Sequence, residues 1–413
     1  MVPLPQPRRR NTGLTIVVLG AGAMGRITVR DLVETAPIGT RVVIADADVA
    51  AAAAVARSLP RRSRSAVTTA RADAADPANI TALLRRVGAF GVINATHHRF
   101  NLAVMEGALA AHAHYCDLGG LFHQTRLQLR EDRVWRQAGL LALPGIGAAP
   151  GVVNVLARSA ADTMQEVREI HVAVGGIDRT RGRPVSPIGI SYSIQTVLEE
   201  ASQPAAMLTG GRLTFVPPMS DARAVTFPAP VGRQRPALTL HSEVATLPRS
   251  YRRKGIRECT FRIAFPAEIV ERLTFLRSAG LLSTVPLRAG GAAVAPRDLL
   301  VAALRGLPAS PEWHGAPDEY EVLRVVVRGR RDGQWVEETV DCHVPGIPAW
   351  RTGIDVDTGC PPSIAMQMLA RGEITARGCV APEVALPAAP FFNELGRRGM
   401  TIRRRRASWS SRS

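Results

Sequence analysis

The sequence predicts an α/β protein, with a doubly wound parallel sheet over the first 150 residues and an α+β unit behind it. Three observations carry this. Short apolar β-type runs alternate with alanine-rich helical stretches as far as Pro144, the pattern of parallel strands covered by helices. The first of those runs feeds straight into a turn spelled Gly20-x-Gly22-x-x-Gly25. Beyond Pro150 the β-type runs lack regular intervening helices, which suits a largely antiparallel sheet.

Taken in chain order, strands are expected at 15–20, 41–46, 66–71, 91–95, 114–118 and 140–143, with helices in the gaps. The Gly/Pro/Ala-rich stretch 144–150 ends this unit and leads into an apolar helix from 152 to about 163. In the second unit β-type runs stand at 170–174, 257–265 and 321–328. Its loops at 178–187 and 217–236 have the length of lids or subunit contacts. Helices return at 361–371 and 390–398, whereas 403–413 has no apolar periodicity and is expected to be disordered, like 1–13. The boundaries that follow are 14–150, 151–345 and 346–402.

Composition narrows the function classes. A chain of 413 residues that is 46% hydrophobic is too long for one core and too apolar for disorder. It holds no run of about 18 apolar residues and no apolar leader segment, so no membrane partner and a cytoplasmic location are expected. Five scattered cysteines (116, 259, 342, 360 and 379) fit neither a disulfide framework nor a zinc site, so free thiols and no metal are expected. The net charge of +17 raises nucleic acid as a partner. Against it, seven of the positive charges lie in the runs at 8–10 and 403–406, Lys254 is the one lysine, and aromatic residues make up only 5%. No stacking surface is visible, so nucleic acid is not an expected partner.

The glycine turn is the strongest motif. Gly20 permits the tight turn, Gly22 lets backbone approach a diphosphate, and Gly25 lets helix and strand pack closely, with Ala23 and Met24 opening the helix. Strand, turn, helix and second strand together give the context of a Rossmann dinucleotide-binding unit. Asp46 ends the second strand 21 residues after Gly25, where a carboxylate accepts hydrogen bonds from ribose hydroxyls and repels a 2′-phosphate. No arginine follows at 47–49. NAD is therefore favoured over NADP, and S-adenosylmethionine, which usually uses other glycine spacing, ranks lower. Asp73 could reach the adenine, although it or Asp76 could equally cap the helix beginning near Pro77. Ala95 and Thr96, past the fourth strand, complete the expected cofactor contacts.

Ligands of such sheets bind beyond the carboxyl ends of the strands, so the loops after the fourth and fifth strands should face the reacting carbon. They read Asn94-Ala95-Thr96-His97-His98-Arg99-Phe100-Asn101 and Tyr115-Cys116-Asp117-Leu118-Gly119-Gly120. Histidine can carry a proton at neutral pH, arginine can fork onto a carboxylate, and aspartate can hold an ammonium or take its proton. Asp117 or His98 is the expected proton carrier and Arg99 a carboxylate clamp. The structural alternative is that Asp117 and its glycines shape a turn while Asn101 caps the next helix.

Three runs, Leu19-Gly20-Ala21-Gly22-Ala23-Met24-Gly25, Asp117-Leu118-Gly119-Gly120 and Gly147-Ala148-Ala149-Pro150-Gly151-Val152-Val153-Asn154, resemble the saccharopine dehydrogenase family. The likeness is greatest to its lysine 6-dehydrogenase and saccharopine reductase branch. It extends through Tyr192-Ser193, Glu199-Glu200 and Gln203-Pro204-Ala205 to Ala370-Arg371-Gly372-Glu373-Ile374, and so covers nearly the whole chain. The resemblance implies a Rossmann domain, an α+β substrate domain that also forms a homodimer, and C-terminal helices that return to the first domain. It adds Gly119, Gly120, Pro150, Gly151, Asn154, Tyr192 and Ser193 as substrate-pocket residues and Arg262 as a second carboxylate clamp. Two departures point to another substrate. His97 and His98 replace aromatic residues after the fourth strand, and Cys259-Thr260-Phe261-Arg262-Ile263-Ala264-Phe265 keeps only the threonine and arginine of a Lys-Thr-x-Arg-Tyr-x-Gly-His run. The function implied is NAD-linked oxidation of an amino acid or opine-like secondary amine at its CH–NH group. The alternatives are an imine-reducing synthase of the carboxynorspermidine or saccharopine reductase type, and a non-catalytic NAD-sensing Rossmann protein.

Overall fold

The structure, a computed structural model, describes residues 13–60, 65–182, 194–307 and 315–410. Strand β1 (Thr15–Leu19) is buried along its whole length, as a strand covered on both faces must be. It pairs in parallel with β2 (Arg41–Asp46) on one side and β4 (Gly91–Asn94) on the other. With β3 (Ala66–Arg71), β5 (His114–Asp117) and β6 (Leu141–Leu143) the order is β3-β2-β1-β4-β5-β6. The connections reverse between β1 and β4, and the crevice at that reversal is where such sheets take ligands.

The covering helices begin where the sequence supplies caps. Helix α1 (Ala23–Thr35) follows the glycine turn. Asp48 caps α2 (Val49–Ser58), and Asp76, with Pro77 behind it, caps α3 (Pro77–Val87). Helix α4 (Asn101–Ala110) follows a 3₁₀ turn at His98–Phe100, and α5 (Leu121–Gln128) and α6 (Asp132–Gln137) fill the gap between β5 and β6.

Helix α7 (Val152–Ala161) joins this sheet to a second, mixed one. Its strands are β7 (Glu166–Asp178), β8 (Ala205–Thr209), β9 (Arg212–Val216), β12 (Ala237–Leu238), β13 (Glu258–Ile263), β16 (Glu319–Arg331), β17 (Gln334–Val344) and β19 (Thr401–Ser408). Among these described strands only β7 and β13 are parallel neighbours. A small ladder of β10 (Val225–Thr226) and β11 (Arg233–Gln234) lies within the long loop at 217–236. The other long loop, 178–187, lies outside the described residues from 183 onward. Helices α8 (Ile194–Glu200), α10 (Ala267–Ser278) and α11 (Pro296–Arg305) share a small core of Val197, Leu198, Ile269, Leu273, Leu282 and Val301. The hairpin of β14 (Leu287–Ala289) and β15 (Ala292–Val294) joins α10 to α11, and α9 (Glu243–Ser250) leads into β13.

The C-terminal part returns to the first sheet. Helix α12 (Val356–Ala370) lies on α1, where a Cβ on Gly359 would overlap the Ile27 side chain and Thr28 Oγ1 donates to the Gly359 carbonyl at 2.8 Å. Strand β18 (Gly378–Cys379) adds a parallel seventh strand beside β6, and α13 (Pro382–Ala385) and α14 (Ala388–Gly396) follow.

Two expectations need correction. The helix placed at 361–371 starts a turn and a half earlier, at Val356, with Pro361 and Pro362 inside it. More importantly, the tail at 403–413 is not disordered over its described part. It forms β19 against β17, from Thr401 opposite His343 to Ser408 opposite Val336. A fully buried Glu338 takes Arg404 Nη1 at 2.6 Å, and Trp409 meets the edge of Trp335 with ring centroids 5.4 Å apart. Pairing with a neighbouring strand and a buried counter-charge replace the apolar alternation that a solitary edge strand would need.

Candidate active site

The crevice between β1 and β4 opens on the glycine turn. Gly20 has φ +103, and a Cβ there would stand 2.8 Å from the Ala95 carbonyl oxygen. A Cβ on Gly25 would overlap the Gly20 carbonyl. These two glycines are therefore required by the fold. Gly22 is different: its φ of −74 suits any residue, and no atom lies within 4 Å of a Cβ built on it. Nothing in the folded chain needs a glycine there. The first turn of α1 also has no side-chain cap, leaving its N–H groups for a ligand, the arrangement that binds diphosphates. Ala95 and Thr96 border the turn, Thr96 Oγ1 donating to Asn94 Oδ1 at 2.6 Å. Asp46 stands at the turn's far edge, its Oδ2 accepting from Ala21 N at 2.7 Å and its Oδ1 from Asp48 N at 2.9 Å. Asp73 is exposed and accepts from Ala75 N at 2.9 Å, while the helix cap falls to Asp76. The residues present thus fit a dinucleotide. We expect Gly22→Ala to fold normally and to lose at least about tenfold in dinucleotide affinity, some 1.4 kcal/mol. Circular dichroism and calorimetric titration would check the two halves of that statement.

The loop after β5 is a packed hub. Asp117 is 1% exposed. Its carboxylate accepts from Tyr115 Oη (2.7 Å), Gln128 Nε2 (2.6 Å), Gly119 N (2.8 Å) and Gly145 N (2.7 Å). Burial pushes its pKa up and these hydrogen bonds only partly pull it back. With every strong acceptor position engaged by protein donors, Asp117 shapes the turn and does not face a substrate, which corrects its expected role as proton carrier. The glycine after it is placed by contact, since a Cβ on Gly119 would come 2.8 Å from Pro150 Cγ, and one on Gly120 would meet Gln124. Asn154 serves the N-terminus of α7: its Oδ1 accepts from Gly151 N (2.9 Å) and its Nδ2 donates to Glu383 (2.9 Å) and Thr246 (3.1 Å). It is fully buried and lines no opening. Pro150, Gly151 and Asn154 therefore fix the junction of the two sheets.

The loop after β4 is the open one. His98 Nε2 meets Glu199 Oε2 at 2.6 Å, bringing α8 of the second unit onto the Rossmann loop. Burial pushes the Glu199 carboxyl up, but the His98 hydrogen bond and the charges of His98, His97 and Arg297 outweigh it and hold it below its ordinary value. Arg297 Nη2 stands 3.9 Å from the other carboxylate oxygen. His98 Nδ1 is shielded from solvent and takes no hydrogen bond from the described residues. The exposed Arg99 lies over Phe100, its Cζ 4.5 Å from the ring centroid. His97, His98 and Glu199 offer three possible metal-binding atoms within 4.8 Å. Their hydrogen bonds argue otherwise: His97 Nδ1 already accepts from Arg99 N at 3.2 Å, which puts the hydrogen of a neutral ring on Nε2, and Glu199 already holds His98 Nε2 at 2.6 Å with Arg297 3.9 Å from its other oxygen. The trio is a hydrogen-bonded charge cluster.

Other expected residues are placed differently. Arg262 is 5% exposed and spends its guanidinium on Asp221 Oδ2 (2.6 Å) and Thr260 Oγ1 (2.7 Å). It holds the loop at 217–236 and is not aimed at a carboxylate ligand, a correction to the expected clamp. Tyr192 and Ser193 lie outside the described residues. Lys254 donates to the Ala161 and Met164 carbonyls, closing the end of α7. Two groups escaped the sequence reading. Glu199 lies 101 residues from His98 and was visible only as part of a helix. His241 is stacked on Phe261 (3.7 Å between centroids) and lies between Glu243 (2.6 Å) and Glu200 (3.6 Å). Burial lowers its pKa, yet the two carboxylates outweigh this and hold it at about 10, so it is an imidazolium.

Comparison with known proteins agrees with this architecture. A family model described as the saccharopine dehydrogenase NADP binding domain matches residues 16–143, and one described as the saccharopine dehydrogenase C-terminal domain matches residues 147–400. The carboxyaminopropylagmatine dehydrogenase of Synechocystis sp. is 22% identical over 398 residues, covering 93% of this chain and 96% of the relative. The carboxynorspermidine synthase of Vibrio cholerae is 24% identical over 406 residues, covering 92% and 94%. Among solved structures, saccharopine dehydrogenase (L-Glu forming) from Saccharomyces cerevisiae superposes with a TM-score of 0.69 at 18% identity, covering 96% of this chain and 100% of that one.

Proposed function

The chain belongs to the saccharopine dehydrogenase family, and from that premise we propose that it is an NAD-linked oxidoreductase acting on the CH–NH group of an amino acid or opine-like secondary amine. Nicotinamide-dependent oxidoreduction of amine or imine groups is the common chemistry; the choice of NAD and of substrate is the proposal. One observation carries it: a glycine turn open at Gly22 and the histidine pair after β4 share the crevice between β1 and β4.

Gly20, Gly22, Gly25, Ala95 and Thr96 would hold the dinucleotide, with Asp46 on its ribose. When bound it supplies a carrier for hydride, the two-electron equivalent exchanged with the amine carbon. The chain's own residues handle the rest. His98 holds or releases one proton at Nδ1, taking it from an amine in the oxidative direction and returning it in the reductive one. Its side chain is only 17% exposed, so most of the ring is kept from bulk water. Arg99, exposed beside it, can fork onto a substrate carboxylate. Asp46 supports NAD, because a carboxylate at the end of β2 beside the glycine turn can accept from ribose hydroxyls and repels a 2′-phosphate, and no arginine stands at 47–49 to neutralise one.

The test is a dinucleotide-absorbance screen over diamino acids, cyclic imines and opine-like conjugates, run with both nicotinamide dinucleotides. Turnover is expected with NAD(H) and at least one amine or imine. Absence of turnover with every pair overturns the reading. In the same screen Asp46→Ser is expected to narrow the preference for NAD over NADP by about tenfold to a hundredfold, since roughly 1–3 kcal/mol of repulsion and ribose hydrogen bonding is removed. An unchanged ratio would take Asp46 out of cofactor selection. The synthase relatives keep open a reductive direction, which the same screen reads from the imine side.

A further inference from the structure

We propose that Glu199 is a positioning residue: carried by α8, it fixes His98 in the tautomer that bears hydrogen on Nε2 and so leaves Nδ1 as the working atom. The inference rests on His98 handling the proton, and it goes beyond that reading by making the second unit a supplier of the site.

The geometry gives the carboxylate one role. A carboxylate oxygen 2.6 Å from an imidazole nitrogen can only accept, so His98 Nε2 must donate. In the neutral ring the lone pair then resides on Nδ1, the nitrogen without a partner among the described residues. A histidine whose ring is not fixed in this way divides itself between two tautomers and several rotations; a buried carboxylate at the distal nitrogen removes that freedom and stabilises the imidazolium formed on proton uptake. Glu199 can do this only while it is ionised. Arg297 from α11, 3.9 Å from Oε1, and the histidine pair keep it so.

The supporting elements explain why the carboxylate stays put. Helices α8, α10 and α11 form their own small apolar core, with Val197 and Leu198 fully buried immediately before Glu199. Arg277 of α10 donates to the Ala201 carbonyl at the end of α8 and to the Pro218 carbonyl. The lobe therefore presents Glu199 to the Rossmann loop as one piece, and proton handling is complete only when the lobe rests on the loop after β4.

The test uses the full chain with 15N-labelled histidine. In the wild type, the His98 resonances, assigned by their loss in His98→Gln, are expected to show hydrogen on Nε2. Glu199→Gln keeps the shape and removes the charge. It should redistribute the tautomers and lower kcat by about 100-fold, with KM and dinucleotide Kd unchanged. Glu199→Asp keeps the charge one methylene short and should recover part of kcat and the Nε2–H signal. A Glu199→Gln enzyme with wild-type kcat and an unchanged spectrum overturns the proposal, as does a wild type with hydrogen on Nδ1. A fall in thermal stability with unchanged kcat per folded molecule assigns Glu199 a purely structural role and also overturns it. If Glu199→Gln does not fold, Glu199→Asp and the wild-type spectrum decide. If no amine or imine supports turnover in the wild type, the functional reading falls, while the nitrogen spectrum still decides what Glu199 does.

Discussion

Replacing His98 by glutamine should lower turnover by two to four orders of magnitude, the range that a positioned proton carrier contributes, while dinucleotide affinity stays where it was. The separation follows from the layout. His98 stands in the 3₁₀ turn after β4 and touches Glu199, whereas the proposed dinucleotide cradle is backbone at Gly20, Gly22 and Gly25 with Asp46 beside it. Stopped-flow hydride transfer and calorimetric titration on the same preparation would measure both quantities. Equal turnover in the variant would leave the proton to another group and remove the histidine from the chemistry. Asp117 supplies the contrast. Its carboxylate accepts four hydrogen bonds inside the protein, so removing it strands buried donors and is felt as lost stability before it is felt as lost turnover.

The difference between these residues shows how much of the site could be read from the chain. Backbone demands are local, and a strand followed by Gly20-x-Gly22-x-x-Gly25 and then Asp46 announces the cofactor crevice because each spacing is set by one turn or one crossover. The parallel sheet was legible for the same reason: apolar runs such as Ile16 to Leu19 must be buried on both faces. Side-chain partnership is not local. Asp117 and His98 look equally able to carry a proton in one dimension, and only the fold shows that Tyr115, Gln128, Gly119 and Gly145 have claimed the first. Arg262 was misread similarly, because Asp221, which occupies it, comes from a loop 41 residues away. The strand at Thr401–Ser408 was illegible because four successive arginines carry no period of two; their order comes from β17 and the buried Glu338.

The C-terminal segment is held by a charge that should make it sensitive to a single substitution. Asp31 on α1 is fully buried and takes both arms of Arg398, Nε to Oδ1 at 2.6 Å and Nη2 to Oδ2 at 2.8 Å. Ser363 of α12 donates to the same Oδ2 at 2.6 Å, and Arg398 also reaches Thr35 and Glu394. Helices α1 and α12 and the turn just after α14 thus meet on one carboxylate. Deleting the cation and keeping the anion leaves an uncompensated buried charge, so Arg398→Met should cost about 3–5 kcal/mol. Removing the charge from both sides, as Asp31→Asn with Arg398→Met, should recover a large part of that loss, because a neutral amide can still accept from Ser363 while no ion is buried unpaired. Urea denaturation of the single and double variants measures the coupling directly, and additive losses would show that the pair contributes only packing. The loss should also be felt unevenly along the chain. Strand β18 and helices α12 to α14 are tied to the first sheet through this junction, so hydrogen exchange is expected to rise first across 356–400. The glycine turn, at the opposite end of α1, keeps its geometry through Gly25 packed on Gly20, and dinucleotide binding should outlast the loosening of the C-terminal segment.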